Sequence, residues 1–258
     1  MADWTGKNRD HFNNSASTYN TKFSKTILQI IDEIQARRHW IGADSIDLDS
    51  ETDEEVLTAD HTFPNKALKL LDYACGTGLV SRALAPYVSQ CVGLDIAESM
   101  VSEYNSGARN QGISETEMCA HVGNLLDPAA VPESLSGPEF HGFDIAAVGM
   151  GFHHFPDTEL ATKRLAERLR KGGVLFIVDF LPHEDPKAHS DGYGDVHAPG
   201  ASDTVIHLGF SEEDVRRNFE AAGVGDKFEY MVLGKGVVFS HEGKEHKRSL
   251  FIARGVKV

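Results

Sequence analysis

The chain has 258 residues, of which 41% are hydrophobic and 25% are charged, and this is the balance of an ordinary globular protein. Its length suits one α/β domain with modest additions, and no apolar run approaches the roughly 18 residues that a membrane-crossing helix needs. The formal net charge of −14 disfavours nucleic acid as a partner, because phosphates are normally bound by basic surface. We therefore expect a small-molecule partner, and neither a nucleic acid nor a membrane.

The N-terminus and the cysteines indicate an intracellular protein. Residues 1–7 begin polar and lack the apolar segment of a secretory signal, so we expect a cytoplasmic location. The three cysteines, Cys75, Cys91 and Cys119, cannot all pair, and none has the close spacing of a metal-binding couple. Reduced thiols are the expectation, and no resident metal is assigned.

The first 66 residues are predicted to form a helical cap with an acidic loop. Between Lys22 and Trp40, isoleucines recur at the spacing of one helix face; they are Ile27, Ile30, Ile31 and Ile34. Residues 44–60 then hold eight carboxylates and few apolar side chains, so this stretch has little to bury. The core domain is expected to run from residue 67 to residue 258.

The core sequence alternates short apolar runs with capped amphipathic segments, the pattern of a parallel sheet flanked by helices. Five strands are predicted, at 67–73, 90–94, 118–122, 143–148 and 173–180. In open sheets of this kind the ligand lies at the carboxyl ends of the strands.

The predicted helices and the last two strands complete the fold. One helix is expected from Asp157 to Lys171, stopped by Gly172-Gly173, and another from Ser211 to Gly223. Two late runs, 228–233 and 249–253, suit a closing antiparallel pair. The expected fold class is therefore α/β, a Rossmann-like, doubly wound and mostly parallel seven-stranded sheet with an antiparallel closing strand.

A glycine-containing turn follows the first predicted strand. The sequence Asp-Tyr-Ala-Cys-Gly-Thr-Gly occupies residues 72–78, directly before the apolar run Leu79 to Leu84. Glycines at a strand-to-helix turn allow a backbone to approach a ligand closely. The second predicted strand ends at the carboxylate of Asp95, which suits the two hydroxyls of a ribose. Together these features imply an adenosine-containing ligand.

Nicotinamide dinucleotides compete for this motif, since they also bind at a glycine-rich turn followed by a ribose-binding acid. Two details argue against them. Ser81 stands where the third glycine of G-x-G-x-x-G is expected, and the acidic Asp72 precedes the turn. A carboxylate there repels a pyrophosphate and attracts an ammonium group, so a cationic amino acid head fits better.

The sequence resembles the class I S-adenosylmethionine-dependent methyltransferases. The resemblance is strongest in residues 70–78 and 92–100, continues in 143–145, 153–155 and 169–175, and covers roughly 68–180. It is most similar to the small-molecule branch that includes the ubiquinone and menaquinone methyltransferases. The resemblance implies S-adenosylmethionine as the cofactor and methyl transfer as the reaction.

The same resemblance implies which residues bind the methionine and the ribose. Asp72 orders the methionyl ammonium through the turn, and Asp95 holds the ribose. The turn residues Ala74, Gly76 and Gly78 admit the methionine portion. Tyr19 matches a tyrosine that closes over the methionyl end, and Gly149 follows the fourth strand, where a glycine permits close approach.

The adenine is expected to contact a further set of residues. In the family, the positions of Ile96 and Met100 pack against the ring. Asn124 stands where the family often has an acid, and its carbonyl oxygen still offers an acceptor to the adenine amino group. Leu125 offers a backbone N–H.

Three histidines are candidate bases on the acceptor side. Methyl transfer is a direct displacement, so the protein mainly positions the acceptor and removes a proton where the acceptor is a weak acid. His153 lies in the loop after the fourth strand. The long stretch 182–208 is predicted to be an acceptor lid and contains His197 and His207, of which His207 is favoured for its apolar neighbours.

Other interpretations remain open at this point. Each of these histidines has the alternative of a solvated or architectural side chain, and metal binding by the histidines of the 182–208 stretch is weighed and not adopted. For the whole chain, the alternatives are a nicotinamide-dependent oxidoreductase and a non-catalytic, methyltransferase-like regulatory protein, because fold and function are separable.

Overall fold

The computed structural model describes residues 3–43, 68–127, 131–183, 204–241 and 244–258. The predicted acidic loop at 44–60 and the part of the predicted lid from 184 to 203, with His197, lie outside these residues. Within the described part of the chain, no helix combines the length and apolar character required to cross a bilayer.

Residues 3–43 contain three helices: α1 (Trp4–Lys22), α2 (Ser24–Ala36) and α3 (Arg38–Ile41). Helix α2 confirms the helix predicted from the isoleucine spacing. Helix α1 was not predicted, because its sequence has few apolar side chains to show a period. The Asp3 carboxylate caps α1 by accepting a hydrogen bond from the Gly6 N–H at 2.8 Å.

The sheet has seven strands in the order β3-β2-β1-β4-β5-β7-β6. The strands are β1 (Lys69–Tyr73), β2 (Gln90–Asp95), β3 (Met118–Val122), β4 (Phe143–Gly149), β5 (Leu169–Phe180), β6 (Asp226–His241) and β7 (Lys244–Val256). Strands β1 to β5 pair in parallel, whereas β7 runs antiparallel to both β5 and β6. The predicted α/β fold with an antiparallel closing strand is confirmed.

Helices cover both faces of the sheet. The remaining helices are α4 (Leu79–Leu84), α5 (Glu98–Asn110), α6 (Thr158–Arg168) and α7 (Glu212–Ala221). Residues of α2, α4 and α5 pack in one hydrophobic cluster with one face, and residues of α6 and α7 pack in a second cluster with the other. This arrangement is the doubly wound architecture that places a ligand at the carboxyl edge of the parallel strands.

The boundary between α6 and β5 was predicted wrongly. Helix α6 ends at Arg168, and β5 begins at Leu169, four residues before Gly173. The chain is extended here because Leu169 pairs with Phe143 at the start of β4. Gly172 does have a positive φ of 73°, but it lies within the strand and not at the helix end.

The predicted start of α7 is confirmed in detail. The Ser211 hydroxyl accepts a hydrogen bond from the Asp214 N–H, and the Asp214 carboxylate accepts from the Ser211 N–H in return. This reciprocal pairing satisfies two backbone donors that would otherwise lack partners. Gly223 follows the helix with a φ of 73°.

Candidate cofactor and acceptor site

The turn after β1 is held open toward a cavity. Ala74, Gly76 and Gly78 all have positive φ, at 54°, 52° and 91°. A Cβ built on Gly76 meets no atom within 4 Å, whereas one on Gly78 lies 3.0 Å from the ring of Tyr104. Gly76 therefore leaves space for a ligand, and Gly78 leaves space for the packing of α5.

Asp95 links the turn after β1 to the turn after β2. Its carboxylate accepts hydrogen bonds from the Gly76 N–H at 2.8 Å and from the Ala97 N–H at 2.9 Å. Burial raises the pKa of Asp95, and the backbone N–H donors oppose that rise. Asp95 also lines the cavity, and carboxylate oxygens are suitable acceptors for ribose hydroxyls.

Asp72 lies behind the same turn and is not among the described residues that line the cavity. Its carboxylate accepts hydrogen bonds from the Ser81 N–H at 2.9 Å and from the Ser81 hydroxyl at 2.8 Å. Ser81, which replaces the third glycine of the dinucleotide motif, is thus a donor that anchors Asp72. Any influence of Asp72 on a ligand acts through the turn and through its charge.

The stability of the ligand-free protein is expected to depend on the protonation of Asp72. Burial raises the pKa of Asp72 from 3.8 to about 7, so the folded state binds a proton that the unfolded state releases. This contribution is present below about pH 4 and is lost as the pH rises to about 7. The shift corresponds to roughly 4 kcal/mol at most.

Denaturant unfolding of the wild type and of Asp72→Asn at pH 5 and pH 8 measures this effect. The asparagine keeps an oxygen that accepts from Ser81 but carries no charge, so the variant should gain stability relative to the wild type as the pH rises. Equal pH dependence of the two proteins would contradict the assignment.

The cavity has a volume of about 240 Å³ and lies at the carboxyl ends of β1 to β4. One wall is formed by the turns after these strands, and the other by one face of α1 and α2. The residues predicted from the sequence that line it are Tyr19, Ala74, Gly76, Asp95, Ile96, Met100, Asn124, Gly149 and His153. Gly78, Leu125 and His207 are described but do not line it.

The groups expected to contact the adenine edge are engaged with one another. The Tyr73 hydroxyl donates to the Asn124 carbonyl oxygen at 3.2 Å and accepts from the Leu125 N–H at 3.2 Å. The Leu126 N–H also donates to the Asn124 oxygen, at 2.9 Å. The acceptor and the donor that the sequence suggested for the base are therefore already paired within the protein.

Apart from Tyr19, the site residues of helix α1 were missed by sequence reasoning. The Asn20 side-chain oxygen accepts from the Thr77 hydroxyl at 2.7 Å. Asn13 accepts from the Ser99 N–H and donates to Glu98, both at 2.8 Å. Cavity-lining positions recur every three or four residues along α1, at Thr5, Asn8, Phe12, Ser15, Tyr19 and Lys22. This repeat of polar and aromatic residues at helical spacing was the sequence signal that could have identified α1 as a wall of the cavity.

Tyr19 lies where α1 approaches the glycine turn that follows β1. Burial and the nearby Asp95 carboxylate raise the pKa of Tyr19 to about 12, so its hydroxyl keeps its proton at neutral pH. Its ring also contacts Phe23 at the start of α2, with 4.9 Å between the centroids.

A buried histidine and aspartate form a pair at the cavity wall. The His153 ring is 3% exposed and lines the cavity, and its Nδ1 lies 2.8 Å from a carboxylate oxygen of Asp179. Asp179 is fully buried and also accepts from the backbone N–H groups of His153 and Phe180. Because a carboxylate only accepts, Nδ1 carries the hydrogen. Asp179 was not predicted, although an acid ending an apolar strand was visible in the sequence.

His207 does not reach the cavity. Its Nε2 lies 3.0 Å from the Phe155 carbonyl oxygen, and its backbone N–H donates to the His153 carbonyl at 3.1 Å. These two hydrogen bonds hold His207 against the loop after β4. Within the described ranges, no group of three or more possible metal ligands is present.

Replacement of Asp95 by alanine is expected to weaken S-adenosylmethionine binding by about 1–3 kcal/mol, the range for hydrogen bonds to a charged group. Isothermal calorimetry measures the affinity, and thermal unfolding checks that the fold persists. Asp144→Ala is the control, because Asp144 is a partly buried strand carboxylate that also accepts from a backbone N–H, that of Lys69, and pairs with Arg170, but is not among the residues that line the cavity. Equal effects of the two variants on affinity would remove Asp95 from the site.

The fold and the site together define a class of protein. A doubly wound sheet carries a turn with an open Gly76, a ribose-type acid on the next strand and a cavity at the carboxyl edge. The space beside Gly76 and the lone pairs of Asp95 fit an adenosine cofactor that bears an amino acid portion.

Comparison with known proteins supports a methyltransferase. A family model described as a methyltransferase domain matches residues 71–177. An uncharacterised methyltransferase of Schizosaccharomyces pombe is 28% identical over 91% of this chain and 84% of its own. A ubiquinone biosynthesis O-methyltransferase of Coxiella burnetii is 29% identical over 43% of each chain. These matches support a class I S-adenosylmethionine-dependent methyltransferase.

A solved structure agrees with this assignment at the level of the fold. Magnesium protoporphyrin IX methyltransferase from Synechocystis PCC 6803 with bound S-adenosylhomocysteine superposes with a TM-score of 0.60 at 17% identity, covering 97% of this chain and 98% of that one. The cofactor is S-adenosylmethionine, and these matches give no support to an oxidoreductase or to a non-catalytic protein.

Proposed function

We propose that the protein methylates a small molecule whose acceptor atom carries a dissociable proton, and that His153 takes this proton. The observation that carries the proposal is the buried pair of His153 and Asp179 at the cavity wall. A histidine fixed by a buried carboxylate is an arrangement used for general bases.

The bound cofactor supplies an activated methyl group on its sulfonium. Since Nδ1 of His153 donates to Asp179, the proton-accepting nitrogen of the neutral ring is Nε2. The acceptor loses its proton to Nε2 and gains the methyl group, and the Asp179 carboxylate stabilises the imidazolium that forms. Buried surroundings strengthen this interaction, because few water molecules screen it.

The shape of the cavity supports a small acceptor. Helices α1 and α2 cover one side of it, and many of the side chains that line it are apolar. These include Phe23, Ile27, Ile30, Met150 and Phe180. Among the described lining residues, Asp95 is the sole carboxylate. The names of two relatives, a ubiquinone biosynthesis O-methyltransferase and a magnesium protoporphyrin IX methyltransferase, also point to small acceptors.

Transfer of a labelled methyl group into a cell extract tests the proposal. The extract is separated beforehand into low-molecular-mass and macromolecular fractions, and each is incubated with the protein and labelled S-adenosylmethionine. The label is expected in the low-molecular-mass fraction, on an oxygen or nitrogen atom that mass spectrometry identifies. Label confined to protein or RNA, or found on a carbon without an acidic proton, would overturn it.

A further inference from the structure

Asn8 of α1 presents an unsatisfied hydrogen-bond acceptor at the cofactor cavity. The residue is 5% exposed and lines the cavity. Its side-chain nitrogen donates to the Trp4 carbonyl at 3.0 Å and contacts the His154 carbonyl at 3.5 Å. Its side-chain oxygen is buried and has no hydrogen-bond partner among the described residues. Buried polar atoms without partners destabilise a fold and are rare, so such an atom indicates a missing partner.

The position of Asn8 along α1 shows which end of the cavity it faces. Asn20 binds Thr77 at the glycine turn, and Asn13 binds the start of α5. Asn8 lies twelve residues before Asn20, about 18 Å along the axis of a helix that rises 1.5 Å per residue. It is therefore at the end of the cavity opposite the glycine turn.

That opposite end has aromatic walls. The ring centroids of Tyr73 and Phe155 are 5.5 Å apart, and those of Phe12 and His154 are 5.2 Å apart. Flat apolar rings favour a purine, whereas the exposed backbone of the glycine turn favours an amino acid. The adenine of an extended cofactor is thus expected at the Asn8 end.

The acceptor that the sequence assigns to the adenine amino group is already occupied. The Asn124 oxygen already accepts from both Tyr73 and Leu126. An amino group buried without an acceptor would weaken binding. The unpaired oxygen of Asn8 and the amino group of the base complement each other.

We propose that the side-chain oxygen of Asn8 accepts a hydrogen bond from the adenine amino group of S-adenosylmethionine, so that α1 recognises the adenine. The acid that the family often places after β3 is absent from this chain, and a residue of the N-terminal helix takes over its role. Cofactor binding then gives the unsatisfied oxygen of Asn8 a hydrogen-bond donor and stabilises the position of α1 over the cavity.

Calorimetry with S-adenosylhomocysteine and its 6-deamino analogue, in which hydrogen replaces the amino group, tests the proposal by binding alone. The wild type is expected to bind S-adenosylhomocysteine about 10- to 100-fold more tightly than the analogue. In Asn8→Leu, an apolar side chain of similar size, the two affinities should agree within about twofold. Asn8→Ala serves as a second variant if the leucine variant does not fold.

Asn13→Ala is the matched control, because it loosens α1 from α5 without removing the proposed acceptor. It should weaken the binding of both ligands by the same factor and preserve their ratio. If the wild type binds the two ligands with equal affinity, that measurement alone overturns the proposal. A wild-type ratio in the Asn8 variants, even with slower methyl transfer, would also overturn it and would assign Asn8 to the methyl acceptor.

Discussion

Replacement of His153 by asparagine is expected to lower kcat for methyl transfer about 10²- to 10⁴-fold, the usual contribution of a general base. The affinity for S-adenosylmethionine should change little, because the ring lies on the acceptor side of the cavity. Asparagine preserves a donor for Asp179, so the buried carboxylate keeps a partner. Steady-state transfer of a labelled methyl group gives kcat, and calorimetry gives the cofactor affinity.

The pH profile distinguishes a base from a structural histidine. A reaction that depends on a general base loses rate at acid pH, so the wild-type rate should fall there, and the residual rate of His153→Asn should lack that fall. His207→Ala is the control: it removes a ring that binds the Phe155 carbonyl, and we expect it to lower stability by about 1 kcal/mol without altering the profile. An unchanged acid limb in His153→Asn would contradict the proposed base.

Substitution of Gly76 by valine is expected to abolish measurable cofactor binding. Gly76 has a φ of 52°, and its Cβ direction points into open space at the cavity. A branched side chain there occupies the volume that the methionine portion needs. It also strains a left-handed backbone by roughly 1–2 kcal/mol, so unfolding must be measured together with binding.

The Gly112→Val variant is a control that has the backbone strain of Gly76→Val but does not fill the space of the ligand. Gly112 follows α5 with a φ of 75°, no atom lies within 4 Å of its Cβ position, and it is exposed. The variant should lose a similar amount of stability and bind S-adenosylmethionine as the wild type does. Normal binding by Gly76→Val would show that the cofactor does not pass over this turn.

The strands were predictable because their side chains are apolar on both faces of a buried parallel sheet, as in β1 and β4. The same signal located the turn at Gly76 and the acid at Asp95. The start of β5 was missed because pairing of Leu169 with Phe143, a tertiary contact, overrides the local glycine signal.

Other features of the site arise from contacts between distant residues, which no local pattern records. The hydrogen bonds from Tyr73 to Asn124 and from Thr77 to Asn20 join residues 51 and 57 positions apart. Helix α1 contacts the core through polar side chains as well as through Phe12, Ala16 and Tyr19, so the apolar period that reveals an ordinary helix is weak. His207 looked buried from its neighbours, and it is partly buried, but burial alone does not reveal which cavity a ring faces.

The attachment of α2 has a consequence for the order in which the protein assembles on the ribosome. The Thr26 hydroxyl donates to the Val238 carbonyl at 2.6 Å, and the Val238 N–H donates to Gln29 at 3.1 Å. Val238 lies 212 residues after Thr26, so the strand that binds α2 is synthesised long after α2 itself. During translation the glycine turn and Asp95 therefore emerge from the ribosome before α2 can form its hydrogen bonds to β6.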